Sequence, residues 1–187
     1  FGNDFAVSSL PEDFNGARTE AIIINEDYLL IGEYAQNRKR IAIISPQFCL
    51  INDFYADDPL VGHIHALHKS PGSGDVLVST GDASKYLDLW EIQDHSMFFK
   101  KRLQQGLAGH TAILKMTGRY YLGSDLSYRP NFIERLGGRK YYFPVPANRM
   151  YVVRFLSYQN RYLVSLNREL GSQGGRMSLS VFDTISE

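Results

Sequence analysis

Cysteine and tryptophan each occur once, at Cys49 and Trp90, and net charge is absent, because twenty basic residues balance twenty acidic ones across 187 residues. A lone cysteine excludes an internal disulfide framework. Balanced charge leaves no global field to collect nucleic acid or an anionic membrane, so neither is expected as a partner. No run of about 18 apolar residues occurs, and no membrane-spanning helix is expected. The opening at Phe1 shows no export-signal pattern, and nothing in the chain assigns a compartment. Helical periodicity is scarcest of all. No window sustains apolar residues at helical spacing between a cap and a closing glycine.

What is abundant is tyrosine and phenylalanine, with 12 and 11 copies, set among β-branched residues. These side chains suit pleated, half-buried surfaces, and the short runs they form are bounded by turn residues. Strands are expected in four sets. The first covers 21–25, 28–34, 40–45 and 48–54; the second covers 63–68, 75–80, 85–92 and 97–103. The third covers 111–116, 119–124, 131–136 and 140–145; the last holds only 150–157, 161–166 and 177–182. The second strands align as YLLIGEY, VLVSTGD, YYLGSD and YLVSLNRE, ending on Glu33, Asp82, Asp125 and Glu169. A repeat of about 40–45 residues with four strands per unit is the signature of propeller blades. The expectation is an all-β propeller with blades near 21–54, 63–103, 111–145 and 150–182 in one domain over 1–187. Asp4 to Leu10 is the candidate closing strand of a four-blade ring; the alternative is a piece of a larger propeller.

The patterns Gly32-Glu33-Tyr34, His63-Ile64-His65, Thr80-Gly81-Asp82 and Gly123-Ser124-Asp125 resemble sialidase-like propellers of the BNR-repeat type. The resemblance covers roughly Ala21 to Glu169. It departs at the turn that carries Ser-x-Asp-x-Gly-x-Thr-Trp in such repeats, since the first equivalent here reads Ser45-Pro46-Gln47-Phe48. The resemblance implies an inner first strand in each blade. The loop before that strand and the loop after the second then open on one rim. Glu33, Asp82, Asp125 and Glu169 are therefore expected around one mouth, with Arg18, Glu20, His63, His110 and Arg149 beside them.

His63 and His65 are the sharpest pair, because residues two apart in a strand share a face. Together they can hold one divalent metal, or one can act as a base beside an acid. No metal spacing beyond His-x-His is present, so catalysis or glycan contact ranks ahead of metal binding, and no cofactor beyond that ion is expected. His110 is assigned the place of His63 in the next blade, while His68 and His95 are read as structural. Arg119, Tyr128 and Arg129 are expected beside Asp125, where rings and guanidinium groups suit sugars and their carboxylates. The run Arg38-Lys39-Arg40 reads as a solvated loop, and Gly171 to Arg176 as a turn. The catalytic candidates are thus His63, His65, Asp82, Glu33 and Asp125. The substrate-binding candidates are Arg18, His110, Arg119, Tyr128, Arg149 and Glu169.

Two functions fit these residues. One is an enzyme on an acidic polysaccharide, either a hydrolase using paired carboxylates or a lyase using a His–Tyr pair with arginine neutralisation. The other is a non-catalytic propeller that binds glycan or serves as an assembly component, with further blades or an assembly partner elsewhere.

Overall fold

A computed structural model describes residues 14, 16–34, 39–55, 58–70, 72–82, 84–106, 108–127, 130–143, 150–169 and 176–185. Every helix or strand among them is a strand. The first sheet holds β1 (Ala17–Ile24), β2 (Leu29–Glu33), β3 (Ile41–Ile44) and β4 (Leu50–Phe54). The second holds β5 (His63–Lys69), β6 (Asp75–Gly81), β7 (Lys85–Gln93) and β8 (Ser96–Gly106). The third holds β9 (Gly109–Met116), β10 (Arg119–Asp125), β11 (Phe132–Arg135) and β12 (Lys140–Tyr142). The fourth has three strands, β13 (Met150–Tyr158), β14 (Tyr162–Glu169) and β15 (Met177–Asp183). Each is an antiparallel meander in chain order. The strands read from the sequence fall on the described ones with shifted ends: the first begins at Ala17 rather than Ala21, and Lys140–Tyr142 is shorter than the expected 140–145. The proposed closing segment, Asp4 to Leu10, lies outside the described residues.

Apolar runs in the middle strands bury both faces, which forces each sheet to stack on a neighbour. Ile41 to Ile44 and Val76 to Val78 are all almost fully buried. The first seam is filled by Ala21, Leu30, Ile41 and Ile43 against Ile64, Leu67, Val76 and Val78. Leu77 and Leu87 meet Leu122 at the second, and Tyr121 and Ile133 meet Val152, Phe155 and Leu163 at the third. No such cluster forms between the fourth and first sheets among the described residues. A cavity of about 590 Å³ lies there instead, lined by Arg18, Tyr34, Tyr151, Arg168 and neighbours. On the axis, Glu20, Leu67, Ala112 and Arg154, one from each inner strand, help line a narrow channel of about 160 Å³.

The closest approach of two sheets recurs at one position. A Cβ on Gly32 would lie 2.5 Å from Ile64 Cγ2, and one on Gly123 would lie 2.4 Å from Val152 Cβ. At the corresponding place in the second sheet, Ser79 Oγ accepts a hydrogen bond from the His110 backbone N–H at 3.1 Å. An inner-strand residue thus presses on a glycine or serine of the preceding sheet.

A bulge sits beside this contact in each inner strand. The β5–β6 register skips His65, β9–β10 skips Thr111, and β13–β14 skips Val153. In β1 the irregularity spans several residues between Ala17 and Ile22. A bulge places an extra residue on one strand and re-aims its side chain.

The Gly32–Ile64 contact generates a coupled test. Gly32→Ala alone is expected to cost roughly 1–3 kcal/mol by overpacking. Ile64→Ala alone should cost roughly 2–4 kcal/mol through the cavity it leaves. Because the second change clears space for the first, urea unfolding of the double variant should show a loss at least about 1 kcal/mol smaller than the sum. Strict additivity would show that the two residues are not in contact.

Candidate functional site

The rim where β5 begins and β6 ends brings together eight side chains from all four sheets. Asp82 follows β6 with φ of 62°, a left-handed conformation that aspartate tolerates. From there its Oδ2 approaches His63 Nδ1 at 3.3 Å, with the Asp82 side chain 74 % exposed and His63 buried. The His63 and His65 rings lie 4.6 Å apart, centroid to centroid. Tyr34, just past β2 and 42 % exposed, covers His63 at 4.1 Å. The Arg18 guanidinium lies between two rings, 5.3 Å from that of Tyr34 and 5.7 Å from that of Tyr151. Lys85 Nζ reaches the Asp125 carbonyl at 3.4 Å.

Burial sets the electrostatics of this mouth. It holds His63 below its ordinary pKa, against the pull of Asp82, and holds His65 further below, so both rings are neutral. Burial also raises the Asp125 carboxyl above the usual carboxylate range, with Arg18 and Lys85 opposing and Asp82 adding. The Tyr34 phenol is raised for the same reason, and Arg18 opposes that shift. The mouth therefore offers a protonated phenol, a carboxylate of raised basicity, two cations and two neutral imidazoles.

Strand register separates the four terminal acids. Aligned on the bulges, Ser124 corresponds to Thr80 and Asn167, and Asp125 to Gly81 and Arg168. Asp82 and Glu169 stand one residue further on. The shared Gly32 and Gly123 contacts place Glu33 with Ser124 and Tyr34 with Asp125. Glu33, Thr80, Ser124 and Asn167 are all fully buried, and each ties its second strand to the third. Thr80 Oγ1 accepts from the Tyr86 N–H at 2.9 Å, and Ser124 Oγ from the Phe132 N–H at 2.8 Å. Asn167 Nδ2 donates to Ser180 Oγ at 3.0 Å, and Glu33 pairs with Arg40 at 3.2 Å. Glu33 is thus part of the sheet framework rather than of the open mouth. Arg40, read as part of a solvated loop, is buried and also meets Asp53 at 3.3 Å.

The same one-residue offset moves His110. It aligns with Ile64 rather than His63, whose counterpart is Gly109, and it faces the groove between the second and third sheets. There His110 Nε2 bonds Gln104 Oε1 at 2.9 Å, and Gln104 Nε2 donates to Glu134 at 2.7 Å. The groove encloses about 670 Å³ and is also lined by Lys140, Phe132 and Tyr142. Arg119 begins β10 and Asp125 ends it. At about 3.3 Å per residue the two lie roughly 20 Å apart, so Arg119 is on the opposite rim. Glu169 ends β14 on the mouth side, where its N–H is bonded to the Arg176 carbonyl. Tyr128, Arg129 and Arg149 lie outside the described residues. His68 packs edge-on to Tyr120, and His95 sits in the β7–β8 turn against Tyr28. Sequence reasoning missed Tyr34, Lys85 and Tyr151. The signal the sequence carries for Tyr34 is its place directly after Glu33 at the end of the second strand.

No family model matches the chain, and no curated protein matches it. Solved structures do. The chain is similar to the computationally designed Ika4 protein at 12 % identity and a TM-score of 0.56, over 96 % of this chain and 99 % of that one. It is also similar to the Cps50 (Swd1) β-propeller domain of Myceliophteria thermophila, at 14 % identity and a TM-score of 0.55. That match covers 88 % of this chain and 53 % of the other, so the chain spans about half of that structure. At such identities the likeness concerns the fold alone. The chain is a β-propeller of four blades. No helix among the described residues of this propeller is long and apolar enough to cross a membrane.

Two outcomes follow from these placements. Glu33→Gln should cost about 3 kcal/mol, because it strips a buried pair of one charge. It should leave ligand affinity per folded molecule unchanged, as measured by chemical denaturation and titration calorimetry together. His110 supplies a pH dependence: burial pushes its pKa down to about 4. Between that value and the ordinary 6.5 the unfolded chain binds more protons than the folded one, so stability falls as pH drops through this window. The full loss at this site is roughly 3 kcal/mol, and His110→Gln should flatten the pH profile of urea midpoints by about that amount.

Proposed function

We propose that the mouth binds an acidic polysaccharide and cleaves it by β-elimination beside a uronate carboxylate. The observation that carries this reading is the arginine held between two tyrosine rings next to a partly buried carboxyl and a lysine. Aromatic rings suit the apolar face of a sugar, and a guanidinium suits its carboxylate. The resemblance of Gly32–Tyr34, His63–His65, Thr80–Asp82 and Gly123–Asp125 to sialidase-like repeats supports a carbohydrate ligand.

In this scheme Arg18 and Lys85 pair with the uronate carboxylate. Asp125 takes the proton α to that carboxylate, and the C–H electron pair delocalises towards the two cations. The C–O bond at the β carbon then breaks as an alkene forms between the α and β carbons. The Tyr34 phenol gives its proton to the departing oxygen. A raised carboxyl is the stronger base once ionised, and a raised phenol keeps the proton it is to donate.

A binding-only propeller is the second reading. It is favoured by Glu33 and His110, which are held by Arg40 and Gln104 and so leave a smaller acid–base set at the mouth.

A panel of uronate polysaccharides, followed by ultraviolet absorbance of unsaturated uronates and by reducing ends, separates these readings. Elimination raises both signals, and Arg18→Gln should lower kcat/KM roughly 100-fold without changing the unfolding curve. Reducing ends without absorbance would replace elimination by hydrolysis. Saturable binding with neither signal would establish the binding-only reading.

A further inference from the structure

We propose that His63, His65 and Asp82 form a binding site for one divalent transition-metal ion of the zinc class. The first observation is geometric: each residue offers a donor atom, and all three lie within 4.8 Å of one another. Ligands about 2.1 Å from a shared ion stand roughly 3–4 Å apart. His63 Nδ1 and Asp82 Oδ2 already satisfy that spacing at 3.3 Å. The Asp82 side chain is 74 % exposed, so a rotamer change can close the rest.

The second observation is independent of the spacing. His65 is 1 % exposed, and neither of its ring nitrogens has a hydrogen-bonding partner among the described residues; the same holds for His63 Nε2. A buried polar atom left without a partner is costly, and native structures rarely retain one without a role. The third blade supplies the contrast. Thr111, at the same bulge position as His65, donates to the Val152 carbonyl at 2.6 Å and so fastens the next blade. His65 makes no such bond. It occupies its place only because Gly81 and Gly109 flank the ring, where Cβ atoms would lie 2.0 Å from Nε2 and 2.9 Å from Nδ1. The space around this imidazole is therefore kept by two residues without side chains.

The donor set selects the ion. Two imidazoles and one carboxylate suit zinc, iron or copper, whereas calcium, magnesium and manganese prefer oxygen donors. Arg18 and Lys85 nearby are offset by Asp82 and Asp125, so the surroundings do not repel a cation. Three protein ligands leave coordination open towards the mouth. Resting on the elimination reading, this open position would take a uronate carboxylate oxygen and share its neutralisation with Arg18.

The test uses the full chain carrying Cys49→Ala, since the exposed thiol is a competing zinc ligand. After chelator treatment and dialysis, zinc binding is measured by calorimetry without any glycan. The expected result is one ion per chain with micromolar or tighter affinity, undisturbed by excess calcium. Asp82→Ala and His63→Gln should each weaken it by about tenfold or more, with circular dichroism and urea unfolding confirming folded protein. His65→Gln is the stronger lesion but sits in the packed bulge, so the first two variants decide. Zinc bound equally well by both variants, or not at all by the parent, overturns the site. Arg18→Gln separates this proposal from the elimination reading. It should keep zinc while losing uronate turnover, so failure of the enzyme reading leaves the calorimetric result intact.

Discussion

The architecture depends on a close contact between successive blades at a position held by glycine or serine in the first three sheets. Ile64 presses on Gly32, Val152 presses on Gly123, and the His110 backbone leans on Ser79. Each contact lets the inner strands come near enough for the apolar middle strands to meet. Sheets with two hydrophobic faces cannot stand alone, so this stacking is what permits them to fold at all. The seam between the fourth and first blades has no apolar cluster among the described residues, and there polar and aromatic side chains take over.

The candidate site is a consequence of the same contact. Immediately beyond it each inner strand carries a bulge, and the bulged residue of the second blade is His65. Its ring lies against His63 and between Gly81 and Gly109, while Tyr34 closes it from above. Arg18 reaches the cluster from the first blade and Asp125 from the third. Chemistry is concentrated at the rim because bulges and strand ends release side chains from the strict alternation of the sheet. Deeper positions cannot do this. Glu33, Thr80, Ser124 and Asn167 point into the framework and hold the second strand to the third.

Much of this was legible in residue order. Alternating and β-branched runs between turn residues located each described strand though not its ends, because strand formation reports local pattern and turn chemistry. The period of about 40–45 residues identified the blades. His63, His65 and Asp82 were readable as a group, since a short hairpin joins the start of one strand to the end of the next.

Tertiary structure alone decided which polar residues reach the mouth. Glu33 and Asp125 look alike as strand-ending acids, yet one is a buried partner of Arg40 and the other lies within electrostatic reach of Arg18, Lys85 and Asp82. His110 and His63 look alike as histidines after glycine, yet they differ by one register position and face different spaces. The reason is the period of two: a shift of one residue reverses the face a side chain takes. That shift is set by bulges, which leave no mark in the amino-acid alternation. Residue order determined the strands and their repeat, and packing around the glycine contacts determined which side chains share the site.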